Sequence, residues 1–89
     1  MIEREVTIIN RLGLHMRAAG KFARMAAQFR SSVNILRDGL AVDGKSIVGL
    51  LTLAAAQGST LTLRIDGADE EAAFTALKEL MDSRFGEDQ

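Results

Sequence analysis

The chain has 89 residues, of which 47% are hydrophobic and only 4% aromatic, with a formal net charge of −1 and neither cysteine nor proline. That balance provides no broad basic field for nucleic acid, and with one histidine and no cysteine it leaves no disulfide, no thiolate site and no basis for a zinc site. No apolar run approaches the ~20 residues of a membrane span, and the acidic start MIEREV is unlike a signal peptide, so a cytoplasmic protein of one domain, residues 1–89, without membrane contact, metal or cofactor is expected.

Ile2, Val6 and Ile8 share one parity and Glu3, Glu5 and Thr7 the other, which predicts a half-buried strand over 2–9. Asn10 to Leu14 reads as a loop. From Met16 to Arg30 the apolar spacing changes to threes and fours, through Ala19, Phe22, Ala23, Ala26 and Phe29, which predicts an amphipathic helix. Val33 and Ile35 alternate again as a strand. Asp38-Gly39 signals a hairpin, because glycine tolerates the positive φ of a tight turn. Leu40 to Val42 return as a short strand, and Asp43 to Ser46 form a loop. Ile47 to Leu53 predicts a short helix with Ser46 as N-cap, closed by Gly58. Leu61, Leu63 and Ile65 give a fourth strand. After the turn at Asp66-Gly67, the acidic Asp69-Glu70-Glu71 suits the first turn of a last helix, whose buried stripe is Ala73, Leu77, Leu80, Met81 and Phe85. The terminal GEDQ reads as a frayed tail.

The order βαββαβα predicts an α+β fold: a four-stranded, mostly antiparallel sheet with three helices on one face. Glu3, Glu5, Thr60, Thr62 and Arg64 then fall on the solvated face.

His15 stands where the loop meets the first helix. A lone histidine in a small domain is ordinarily a surface or capping residue. Here Gly13 permits a tight turn just before it. The first-turn N–H groups of the helix point toward whatever the ring carries. Arg17, two residues on, offers charge-assisted hydrogen bonds. These features form a small anion site beside an imidazole nitrogen. Imidazole is a nucleophile near neutral pH without an activating base, and no second partner for a hydrolytic triad is evident. A phosphorylated nitrogen suits the setting, so the local chemistry favours a carrier over a catalyst with its own substrate. Passive binding of an anion uses the same features.

Two segments, Gly13-Leu14-His15-Met16-Arg17-Ala18-Ala19 and Gly44-Lys45-Ser46-Ile47, closely resemble the HPr family, the histidine-containing phosphocarriers of the bacterial phosphotransferase system. The resemblance covers nearly the whole chain and implies an open-faced β-sandwich. It implies that enzyme I, charged by phosphoenolpyruvate, phosphorylates His15 on Nδ1. Arg17 then helps hold the phosphoryl group, and an IIA protein or domain accepts it. Such a protein is a stoichiometric carrier, not an enzyme. The resemblance also implies a regulatory phosphorylation at Ser46 by HPr kinase/phosphorylase. Met16 stands where the family commonly has alanine, and Ala18 where it has proline. The missing proline is similar to the nitrogen-regulatory branch, the NPr proteins, so transport and regulatory roles both stay open.

Gly39 to Ser46 also matches the phosphate-binding pattern G-x-x-x-x-G-K-[ST]. Its context argues against a nucleotide site: Asp38-Gly39 reads as a hairpin turn, and three of the four intervening residues are apolar and strand-like. The run Ile47-Val48-Gly49-Leu50-Leu51 is apolar on nearly all sides. Leu50 and Leu53 are expected in the core. Some of Ile47, Val48 and Leu51 are then exposed, forming a docking patch with Met16. Lys21 and Arg24 rim it to meet acidic partners, or are simply a solvated helix face. A docking module of the same fold, acting by protein–protein binding, is the competing reading. A monomer is expected.

Overall fold

The computed structural model describes residues 1–89. Its elements are β1 (Ile2–Thr7), α1 (Met16–Ala27), β2 (Ser32–Arg37), β3 (Leu40–Asp43), α2 (Ile47–Thr52), β4 (Thr60–Asp66) and α3 (Glu70–Asp82), with a 3-10 turn at Arg84–Gly86. The sheet order is β1-β4-β2-β3, and all three pairings are antiparallel. The expected order and layering are therefore those of the fold.

Register follows from burial. Ile2 and Val33 both pair with Ile65, Ile35 pairs with Leu63, and Val6 pairs with Leu61. One parity thus forms a continuous apolar face, because side chains alternate with period two. That face joins Ala19, Phe22, Ala26, Leu50, Leu77 and Phe85 from the helical layer in one core. On the opposite parity Glu3, Glu5 and Thr60 are exposed, and Thr62 and Arg64 are half-buried. Glu3 pairs with Arg64 at 2.9 Å across β1 and β4. The Asp38-Gly39 hairpin has φ of 50° and 84° at its two central residues. Positive φ at both positions matches the right-handed twist of the flanking strands.

Several boundaries differ from expectation. The first strand ends at Thr7, although Ile8 continues the pairing through Ile8 N–H to the Ser59 carbonyl at 2.9 Å. Helix α1 stops at Ala27, not Arg30, because Gln28 and Phe29 donate to the Met25 and Ala26 carbonyls in tightened, i→i−3 fashion. Helix α2 ends at Thr52, and the chain turns at Ala54, with φ of 50°, while Gly58 serves the approach to β4. Phe85 is buried as expected but lies outside α3. Arg84 and Phe85 have φ of 57° and 55°, so the chain breaks from the helix there and swings the ring into the core. A left-handed residue other than glycine costs ~1–2 kcal/mol, which burial of a phenylalanine side chain, ~1.5–3 kcal/mol, helps to offset.

Candidate functional site

The loop before α1 is built around Asn10 and Gly13. Asn10 is fully buried, and its Nδ2 donates to the Gly13 carbonyl at 2.8 Å. Gly13 has φ of +69°, and a Cβ there would lie 2.5 Å from the Ala55 carbonyl oxygen. Only glycine fits both constraints. Leu14 is buried, and its N–H donates to the same Ala55 carbonyl at 2.8 Å. The loop is thereby pinned to the segment after α2, and the next residue, His15, is aimed at the surface.

His15 is the N-cap of α1. Its backbone is extended (φ −78°, ψ 178°), and its Nδ1 accepts a hydrogen bond from the Arg17 backbone N–H at 3.3 Å. The expected junction is therefore present, with a specific polarity: Nδ1 faces the amide end of the helix. The other ring nitrogen, Nε2, pairs with the Glu87 carboxylate. The His15 side chain is 24% exposed, so the ring is reachable from solvent but not free to spin.

Glu87 and Asn10 are the residues that sequence reading missed. The terminal GEDQ is not frayed. Phe85 anchors it in the core, and Lys21 Nζ donates to the Phe85 carbonyl. Glu87 Oε1 accepts from Asn10 Nδ2 at 3.0 Å, and Arg11 N–H donates to the Gln89 main-chain oxygen at 3.0 Å. The available signal was Phe85-Gly86, an apolar anchor followed by a turn residue. Burial pushes the Glu87 carboxyl upward. The hydrogen bonds from Asn10 and His15, with the charges of His15 and Arg17, outweigh burial and hold its pKa below the ordinary glutamate value.

A cleft of about 470 Å³ is lined by Arg17 and Glu87, the two residues that hydrogen-bond the His15 ring. Arg11, Arg17 and Lys21 bring cations to it, and Glu87 and Asp88 bring carboxylates. Arg17 is exposed and makes no side-chain hydrogen bond, so its guanidinium is available to an anion near His15. Lys21, read as a patch rim, is half-buried and holds the tail through its ammonium. Arg24 is exposed on α1.

Ser46 caps α2: its Oγ accepts from the Gly49 N–H at 3.1 Å. The preceding turn is closed by Asp43, whose Oδ1 accepts from the Lys45 N–H at 2.9 Å, while Lys45 Nζ donates to the Phe29 carbonyl at 2.9 Å. The G-x-x-x-x-G-K-S pattern thus covers a hairpin turn, an edge strand and a capped turn whose lysine is already bonded. It lacks the buried parallel strand and long helix that a phosphate loop joins. Val48 is 73% exposed, Met16 70% and Ile47 38%, whereas Leu50 and Leu53 are buried. Leu51 is half-buried against the core, so it contributes less to any outward surface than expected.

The fold and the site together define a small open-faced α+β protein that presents one imidazole nitrogen at the amide end of a helix, beside an unpaired guanidinium. Residues 2–83 match the family described as "PTS HPr component phosphorylation site". The phosphocarrier protein HPr of Cupriavidus necator is 52% identical over 87 residues, covering 98% of each chain. The phosphocarrier protein NPr of Shewanella violacea is 42% identical over 86 residues, covering 97% of this chain and 94% of its own. The crystal structure of HPr-C-His from Thermoanaerobacter tengcongensis superposes with a TM-score of 0.96 at 39% identity, covering 100% of both chains. The chain belongs to the HPr family of phosphocarrier proteins, as its two motifs implied.

Proposed function

We propose that this chain accepts a phosphoryl group on His15 Nδ1 from enzyme I and passes it to an IIA protein or domain. The observation that carries the reading is the Arg17 N–H donated to Nδ1. A nitrogen that accepts a hydrogen bond keeps its lone pair in the ring plane, which is the pair a phosphorus atom needs. A phosphoryl group arriving there replaces the amide's present acceptor, and its oxygens meet first-turn N–H groups and the Arg17 guanidinium. The 24% exposure of the ring leaves room for a donor and then an acceptor to reach it in turn. The role is stoichiometric: the chain ends each cycle as it began, having moved a group between two other proteins.

Met16, Ile47 and Val48 are the apolar residues best placed to dock those partners, since they are exposed without a share in the core. Arg24 suits the rim of that contact and acidic partner residues. Regulation at Ser46 by HPr kinase/phosphorylase fits the N-cap geometry. A phosphate there sits at a helix N-terminus, where it is tolerated, yet it adds about two negative charges beside Ile47.

The test is phosphoryl transfer. The chain is incubated with phosphoenolpyruvate and enzyme I, and its intact mass is followed with His15→Ala alongside. One phosphoryl group that is lost in acid, survives base and is absent from the variant is the expected result. No transfer to the folded wild type from several enzyme I types overturns the reading and leaves the docking module.

A further inference from the structure

The carrier role accounts for Nδ1 and Arg17 but leaves Glu87 unexplained. Its side chain is only 11% exposed, and each of its oxygens is committed: Oε1 to Asn10 and Oε2 to His15 Nε2. The tail bearing it is fixed on both sides, by the buried Phe85 ring and Lys21 before it and by Arg11 on Gln89 after it. A carboxylate only accepts hydrogen bonds, so the nitrogen facing it carries the hydrogen. A backbone N–H only donates, so the nitrogen facing Arg17 carries the lone pair. The two neighbours, far apart in the chain, demand the same tautomer.

We propose that Glu87 is a positioning residue for phosphoryl transfer: it holds His15 as the Nε2–H tautomer, directs the phosphoryl group to Nδ1 and balances the charge the ring acquires. This rests on the carrier reading of His15. In the step, the Nδ1 lone pair forms the bond to phosphorus. The bond between phosphorus and the donor atom breaks, and its electron pair stays with the donor. The Nε2 proton does not leave, so the ring becomes an imidazolium carrying the phosphoryl group. Its positive edge then faces the Glu87 carboxylate in a part-buried setting, where a charge-assisted hydrogen bond is strengthened. Transfer onward reverses each change, again with no proton to move. Nε2, covered by the carboxylate, offers no lone pair to a donor. This is the logic by which a carboxylate orients a histidine whose other nitrogen does the chemistry.

The experiment is ¹⁵N NMR of the His15 ring in the full, unphosphorylated chain, at a pH where the ring is neutral, with Glu87→Ala and Glu87→Gln. The tail keeps its Phe85, Lys21 and Arg11 anchors in both variants. Wild type is expected to hold the Nε2–H tautomer almost wholly, and Glu87→Ala to show a mixture. Glu87→Gln keeps an acceptor oxygen without the charge. It should retain the tautomer yet take phosphoryl from phospho-enzyme I about tenfold more slowly, the scale of one charge-assisted hydrogen bond. An unchanged tautomer population in Glu87→Ala overturns the orienting role, and an unchanged transfer rate in Glu87→Gln overturns the charge-balancing role. The tautomer measurement needs no partner protein. If wild type itself accepts no phosphoryl group, the carrier reading fails while the NMR result still decides whether Glu87 sets the ring.

Discussion

Asp69 pins the turn that follows α1: its carboxylate accepts from the N–H of Ser31, 38 residues before it, at 2.9 Å and also from the Ser31 hydroxyl. The neighbouring Arg30 N–H donates to the same carboxylate at 2.8 Å. Although Asp69 immediately precedes α3, it makes no side-chain cap there. It staples the α1–β2 turn to the start of α3 instead.

That staple is predicted to be acid-sensitive. The Ser31 hydroxyl and then the Arg30 N–H lower the Asp69 carboxyl from an ordinary 3.8 to about 2. Because the folded value lies below the unfolded one, the contribution is fully present above about pH 3.8 and is lost as pH falls through about 2. Asp69→Ala should therefore lower the urea midpoint near neutral pH, and the gap from wild type should narrow steadily toward pH 2. Denaturation series at both ends check this. An equal gap at each pH would show that the carboxylate's charge is irrelevant to the staple.

Gly13→Ala should damage both stability and site. Positive φ at a non-glycine residue and a Cβ 2.5 Å from the Ala55 carbonyl oxygen act together. A loss of about 2 kcal/mol or more is expected, read from urea denaturation. Because the Leu14 N–H bonds that same carbonyl, His15 should also move. The ¹⁵N–¹H signal of Arg17, which donates to the ring, should shift strongly. A variant of wild-type stability would refute the close approach.

Arg17→Ala should leave stability nearly unchanged, since its guanidinium is exposed and unpaired. Phosphoryl transfer should fall by about a hundredfold to a thousandfold, the scale of one electrostatic donor to a developing charge. Arg17→Lys should recover only part of it, because an ammonium cannot hold a phosphoryl group in bidentate fashion. Stopped-flow transfer from phospho-enzyme I measures this, and full recovery by lysine would show that charge alone suffices.

Val48 and Leu50 sit two residues apart on α2 and should behave oppositely. Val48→Ala should change stability by no more than about 0.5 kcal/mol while weakening partner binding, because the side chain is 73% exposed. Leu50→Ala should cost about 2–5 kcal/mol, since Leu50 is fully buried. Calorimetric titration with enzyme I and thermal melts of both variants separate surface from core. Wild-type affinity in Val48→Ala would remove it from the docking surface.

The element order, the antiparallel sheet and most of the core were legible in the sequence because each rests on local regularities. Alternation at Ile2, Val6 and Ile8, three- and fourfold spacing from Ala19 to Ala26, and the Asp38-Gly39 turn all act within a few residues. The place of His15 ahead of α1 was equally local, since a cap and its helix are adjacent. The helix ends were less legible, because their positions depend on what the following residues meet: Phe29 and Lys45 at the end of α1, Arg37 on the Leu53 and Ala54 carbonyls after α2.

The contacts that tertiary structure alone decided join residues far apart in the chain. Asp69 looked like a helix-start charge and turned out to hold Ser31. Lys21 looked like a solvated rim and is bonded to the Phe85 carbonyl, 64 residues away. Glu87 looked like part of a loose end and covers His15 Nε2, 72 residues away. Local pattern determines which segments become helix or strand, and so it placed the imidazole at the amide end of α1. Which carboxylate faces that imidazole depends on the chain reversing at Arg84 and Phe85 and burying one aromatic ring, and only the folded core selects that arrangement.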